Sequence, residues 1–132
     1  MSETVLVVGV GAVAGIGAAV ARKFAGAGYH VVVSGRTREK LETVVLQIQE
    51  TGGSADYIIG DVTSDADQKR LAAIVQDRDE PLAAVIYNAG SNLPIKFEGL
   101  TPAQFEEFWR IGRFGAFLTA HHLLPILSQQ GR

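Results

Sequence analysis

The stretch that most constrains the fold is residues 4–38, TVLVVGVGAVAGIGAAVARKFAGAGYHVVVSGRTR. Four uncharged aliphatic residues, 5–8, run straight into glycine, as a strand covered on both faces of a parallel sheet does. Gly9, Gly11, Gly15 and Gly17 follow where the chain must turn from strand into helix, and without a Cβ their N–H groups can approach an anion closely. From Gly15 onward Ile16, Ala19, Val20, Phe24 and Ala27 recur at helical spacing, which predicts a helix with these side chains inward, and Gly28 suits a left-handed stop. A second strand is predicted over 30–34.

The glycines fit two registers. Gly9-x-Gly11-x-x-Ala14 matches the general dinucleotide fingerprint, whereas Gly11-x-x-x-Gly15-x-Gly17 leaves Gly15-Ile16-Gly17 at the helix start and Gly35-Arg36 directly after the second strand. The second register is preferred. Small residues also let a helix lie close on a strand, so the added weight comes from strand, turn, helix and strand falling in order.

No carboxylate stands at the end of the second strand, where an adenosine ribose would lie. Ser34-Gly35-Arg36-Thr37-Arg38 offers two guanidinium groups instead, and the planar fork of Arg suits a 2′-phosphate. A charge-assisted hydrogen bond contributes about 1.5–3 kcal/mol, or about ten- to a hundredfold in affinity, so NADP(H) is favoured over NAD(H). The plainer reading makes Arg36 and Arg38 solvated charges opening the next helix.

Strand and helix patterns then alternate. Thr37 is placed to cap a helix with Leu41, Val44, Val45 and Ile48 inward, ended by Thr51-Gly52-Gly53, and a third strand is predicted over 55–59. Gly60-Asp61-Val62-Thr63 follows at its carboxyl end; Asp61 can accept from an adenine amino group with Val62 against the ring, or serve the loop itself. Residues 64–77 read as a helix with Leu71, Ile74 and Val75 inward and Asp65 and Asp67 at its favourable N-terminal end. Leu82–Tyr87 is a fourth strand, predicted to lie beside the first; Asn88-Ala89-Gly90 ends it, where small residues let main chain face a ligand and the Asn88 amide can tie neighbouring strands. After a loop over 91–99, Thr101-Pro102-Ala103-Gln104 is a complete helix start, and one long helix is predicted to about Leu127, with Gly112, Gly115 and Ala116 admitting another backbone and Pro125 bending or ending its last turn. Phe105, Phe108, Trp109, Phe114, Phe117 and Leu118 make it apolar around much of its circumference, which calls for a second surface and predicts a homo-oligomer. The alternation defines an α/β class with a doubly wound parallel sheet.

Composition narrows the partners. A chain of 132 residues, 47% hydrophobic, suits one core and a single domain over 1–132. A net charge of −2 without a basic stripe argues against nucleic acid. With no cysteine there is no disulfide, thiolate metal site or Cys nucleophile, and cytoplasm is the default. Glu3 and the repeated glycines argue against a leader, and no apolar run is long enough to span a membrane, so a soluble protein is expected. His121 and His122 are adjacent on a helix and diverge, which is poor geometry for a shared metal; Glu106 and Glu107 favour the helix dipole; no metal site is predicted.

Val10-Gly11-Ala12-Val13-Ala14-Gly15-Ile16-Gly17, Gly35-Arg36, Asp61-Val62, Asn88-Ala89-Gly90 and the helix from Phe108-Trp109 through Phe117-Leu118 to His122-Leu123-Leu124-Pro125 closely resemble the short-chain dehydrogenase/reductase family. The resemblance covers the whole chain, with Val10 where the family usually has Thr. It implies a Rossmann-like, three-layer α/β/α fold, truncated after the fourth strand and its following helix. It also implies an oxidoreductase that moves a hydride between nicotinamide and a carbonyl or alcohol carbon. Cofactor contacts are expected at Gly11, Val13, Gly15, Ile16, Gly17, Arg36, Thr37, Asp61, Val62, Asn88, Ala89 and Gly90. Two departures stand out. Gly112 replaces the family's Asn, which supports a water in the proton relay, and nothing here matches the catalytic Ser or Tyr-x-x-x-Lys, which family members carry beyond this helix. Tyr29, Tyr57 and Tyr87 are not followed by Lys four residues on, so no catalytic residue is assigned. The alternative is a nucleotide-binding or oligomer-forming module without catalysis; a different phosphorylated nucleotide at the glycine turn is a third reading. Ser91 and Asn92 are placed to line a substrate mouth.

Overall fold

The sequence pattern resolves into four strands, β1 (Thr4–Val8), β2 (His30–Gly35), β3 (Ser54–Ile59) and β4 (Leu82–Tyr87). All pair in parallel in the order β3-β2-β1-β4 in the computed structural model, which describes residues 2–90 and 94–129. Helices follow each strand: α1 (Ile16–Gly26), α2 (Arg38–Glu50), α3 (Asp65–Gln76), then α4 (Pro102–Trp109), a π-helical turn (Arg110–Phe114) and α5 (Gly115–Gln129). A 3-10 turn, Phe97–Gly99, precedes α4.

Alternation along β1 divides the core. Val5 and Val7 join Val31, Val33, Ala18, Ala21 and the inner face of α2, while Leu6 and Val8 join Val32, Leu71, Val75, Leu123 and Ile126. Each fully buried Val or Leu contributes about 1.5–3 kcal/mol relative to exposure, so both faces of the sheet are anchored and the result is a three-layer α/β/α fold. The predicted inner face of α2 is found intact, with Leu41, Val44, Val45 and Ile48 buried.

Other expectations are corrected. In α1 the buried residues are Gly17, Ala18 and Ala21, whereas Ile16 is 66% exposed and Ala19 and Ala27 also face outward. Small side chains let this helix lie close on the sheet, with Val20 and Phe24 packed at its flanks. In α3 Ile74 turns outward; Gln68 and Ala72 join Leu71 and Val75 inside. Thr37 occupies the N-cap position of α2 without a side-chain cap bond. At Thr101 the capping box is complete: Gln104 N donates to Thr101 Oγ1 at 3.1 Å and Thr101 N to Gln104 Oε1 at 3.0 Å.

The long helix is not one uniform run. At the π turn the Tyr87 hydroxyl donates to the Ile111 carbonyl, a side-chain insertion into the helical ladder of the kind that accompanies such bulges. Gly115 is the residue that admits a neighbour, since a Cβ there would lie 2.5 Å from the Tyr87 oxygen and 3.1 Å from Val62. Gly112 admits nothing, having open space within 4 Å. Pro125 sits inside α5, which continues to Gln129. Phe105, Trp109, Phe117 and Leu124 remain exposed on this helix.

Candidate functional site

At the carboxyl ends of the strands, β1 lies between β2 and β4, so the chain leaves the centre of the sheet in two directions and opens a crevice there. Its floor is main chain packed on main chain. Gly9 has φ +96°, and a Cβ on it would overlap the Ala89 backbone; a Cβ on Gly17 would come 2.8 Å from Gly9 O and 3.2 Å from Asn88 Nδ2; one on Gly35 would overlap Val10 O. Gly9 N and Val10 N both donate to Ser34 O at 2.9 Å, Asn88 N donates to Val8 O at 2.7 Å, and Asn88 Nδ2 reaches Gly9 O at 3.4 Å. The predicted tie between strands through Asn88 is therefore present.

Helix α1 starts at Ile16 with Gly15 as its N-cap, in keeping with the preferred register. Its first N–H groups lack intrahelical acceptors and carry the positive end of the helix dipole. They open into a cleft of ≈ 380 Å³ lined by eleven of the twelve predicted cofactor residues: Gly11, Gly15, Ile16, Gly17, Arg36, Thr37, Asp61, Val62, Asn88, Ala89 and Gly90. Val13 is the exception. Its side chain packs against the core beside α1 and α2, and its carbonyl accepts from Arg22 Nη1 at 2.9 Å, so it holds the turn without lining the cleft. Arg22 Nη1 also reaches Gln47 Oε1 at 3.0 Å and thereby braces the glycine turn against α2.

The Asp61 loop closes one side. Asp61 Oδ1 accepts from Thr63 N at 2.9 Å and Thr63 Oγ1 at 2.8 Å, while Asp61 N donates to Asp67 Oδ2 at 2.8 Å. The loop role weighed for Asp61 is thus filled. The Thr63 N–H is the main reason its carboxyl titrates below the ordinary 3.8; burial opposes this, and the Thr63 hydroxyl and the Arg36 and Arg110 charges assist. Burial, helped by the Asp61 charge, pushes the Tyr87 phenol up to about 12, so it stays a donor to Ile111.

Two lining residues escaped sequence reasoning, Lys40 and Ile111. Lys40 follows Thr37 at i+3 on a helix start, a spacing that was available. Ile111 arrives from the far end of the chain through the Tyr87 contact, for which no local signal exists. Ser91 and Asn92, expected at a substrate mouth, lie outside the described residues. Among the described residues no cluster of three or more His, Cys, Asp or Glu could hold a metal, and no helix is long and apolar enough to cross a membrane. His122 instead pairs with Asp65, Nε2 to Oδ1 at 2.7 Å.

The parallel order, the glycine floor and the open helix start define a Rossmann-like α/β fold. A family model for short chain dehydrogenases matches residues 3–132, and the chain belongs to that family. It is 30% identical over 120 residues to an uncharacterised oxidoreductase, YxjF, of Bacillus subtilis, covering 91% of this chain and 47% of the relative. It is 33% identical over 137 residues to serine 3-dehydrogenase of Agrobacterium fabrum, covering 98% and 51%. Among solved structures, a variant of the actinorhodin polyketide ketoreductase with NADPH superposes with a TM-score of 0.87 at 28% identity, covering 99% of this chain and 49% of that one. The chain thus spans about half the length of the curated relatives it matches.

Proposed function

We propose that this chain forms the cofactor-binding half of an NADP(H)-dependent oxidoreductase acting on a carbonyl or alcohol substrate. The observation that carries the reading is the glycine-floored cleft with Arg36 and Thr37 at the end of β2, where no carboxylate stands to repel a 2′-phosphate. The residues fit that group: a side chain at Gly9, Gly17 or Gly35 would collide with the chain that forms the floor, and Gly11 presents main chain with open space above it. The N-terminus of α1 would take the pyrophosphate, Arg36 the 2′-phosphate, and Val62 the adenine ring, with Asn88-Ala89-Gly90 toward the nicotinamide side. When bound, the dinucleotide supplies the hydride chemistry. Structural likeness to a ketoreductase solved with NADPH supports the same choice.

Turnover belongs to the whole protein in this reading, because the Tyr57 hydroxyl is committed to Glu42, that of Tyr87 to Ile111, and no Tyr-x-x-x-Lys occurs in 1–132. The exposed Phe105, Trp109, Phe117 and Leu124 support a homo-oligomer through the long helix, which a sedimentation profile of monomers alone would refute. A non-catalytic nucleotide module is the second reading, favoured by Gly112, where open space would accept the missing Asn side chain yet none is present. Calorimetric titration of the chain with NADPH and NADH tests the site. Tighter binding of NADPH, by about ten- to a hundredfold, is expected. Absence of both heat and melting-point gain would remove the cofactor reading; tight binding without turnover by the full-length protein would favour the second.

A further inference from the structure

Gln68 and Thr119 are two of the buried polar residues, 1% and 2% exposed, and neither touches the cleft. They meet between α3 and α5: Thr119 Oγ1 donates to Gln68 Oε1 at 2.9 Å, and Gln68 Nε2 donates onward to the Asp61 carbonyl at 3.4 Å. That carbonyl also accepts from Ser64 N at 3.0 Å, and the Asp61 N–H is held by Asp67. Both main-chain groups of Asp61 are therefore fixed from the start of α3, and Gln68 extends the grip to α5. Four residues before Thr119, Gly115 lies directly on Val62, the other lining residue of the loop. A second contact between the same helices, His122 with Asp65, sits at the surface one turn further along.

Two apolar side chains of similar shape would fill this space about as well, since replacing both partners of a buried hydrogen bond is nearly neutral for stability. What the polar pair adds is direction: an amide locked at one end to α5 dictates where the Asp61 carbonyl stands. We propose that Gln68 and Thr119 are positioning residues for the cofactor cleft, a buried relay through which α5 sets the Asp61–Val62 wall against the adenosine half of the ligand. This rests on the cofactor reading above.

The probe is adenosine 2′,5′-bisphosphate, titrated calorimetrically into the chain and into the double variant Gln68→Leu with Thr119→Val, well below their melting temperatures. The double variant leaves no orphaned polar partner and is expected to melt close to the unsubstituted chain while binding the probe about two- to tenfold more weakly. Thr119→Ser, which keeps the hydroxyl, should retain full affinity. Equal affinity in the double variant and the unsubstituted chain overturns the relay and leaves the cofactor site standing. Failure of the unsubstituted chain to bind the probe overturns the site reading and the relay with it. Should the double variant not fold, Thr119→Val against Thr119→Ser makes the same comparison, with loss in the first alone supporting the relay and equal binding overturning it.

Discussion

The turn after β1 and the loop after β3 face the same cleft but are held by different means. The first is main chain against main chain, with Gly9 on Ala89, Gly17 on Gly9 and Gly35 on Val10. The second is a web of side chains, in which Thr63, Asp67 and Gln68 hold Asp61. Main-chain contact allows one residue type per position, because any Cβ removes the contact outright. A side-chain web shares the constraint among several bonds, each contributing about 0.5–1.5 kcal/mol net, so the loss of one leaves the others in place. The two walls of one cleft should therefore fail in different ways, abruptly and gradually.

Gly9→Val strikes the rigid wall and carries the largest expected effect. Strain at a left-handed backbone position costs about 1–3 kcal/mol, and forcing a side chain into the Ala89 main chain costs about as much again. A loss of roughly 2–6 kcal/mol is a large part of the 5–15 kcal/mol typical of a domain, so a urea melt should show a much earlier midpoint or no transition at all. A melt matching the unsubstituted chain would show that the turn tolerates displacement. Arg36→Ala comes next, since Arg36 lines the cleft at the end of β2 and its charge bears on Asp61. NADPH affinity should fall about ten- to a hundredfold with NADH affinity nearly unchanged, read by calorimetry at one salt concentration. Equal losses for both dinucleotides would mean that Arg36 supports the cleft rather than choosing its ligand.

The same contrast explains what was legible in advance. Patterns carried by neighbouring residues were readable: the β1 turn, Arg36 after β2, the inner face of α2, and the Thr101 capping box. Sequence pattern and structure part where small or polar residues do the packing. The apolar spacing of α1 includes Ile16 and leaves out Ala18, yet closeness to the sheet selects for size and buries Ala18. Gln68 is buried where the more apolar Ile74 is not, because its amide is met by Thr119, 51 residues away, and that partner leaves no local signal. The π turn, and with it the arrival of Ile111 at the cleft, depends on a Tyr87 contact across 24 residues and has no local code.

The smallest expected effect tests the gradual wall through pH. Asp61 titrates below its ordinary value of 3.8, first because the Thr63 N–H donates to its ionised form, with Arg36 and Arg110 adding minor support. A carboxyl depressed in the folded state adds stability above the unfolded value, near about 3.9, and loses it as pH falls through the lower folded value, because the unfolded chain binds the proton first. Asp61→Asn should thus be less stable than the unsubstituted chain near neutrality, and the gap should close on going from about pH 5 to about pH 3. The group is only half-buried, and the solvent that reaches it screens the interaction and keeps the gap small. Asp65, hydrogen-bonded to His122, is likewise held below its ordinary value, so the informative quantity is the difference between the two chains at each pH, not either acid transition alone. A gap that stays constant across the window would mean that Asp61 shapes the loop through its size and not its charge, and the wall would then resemble the glycine floor more than the contrast allows.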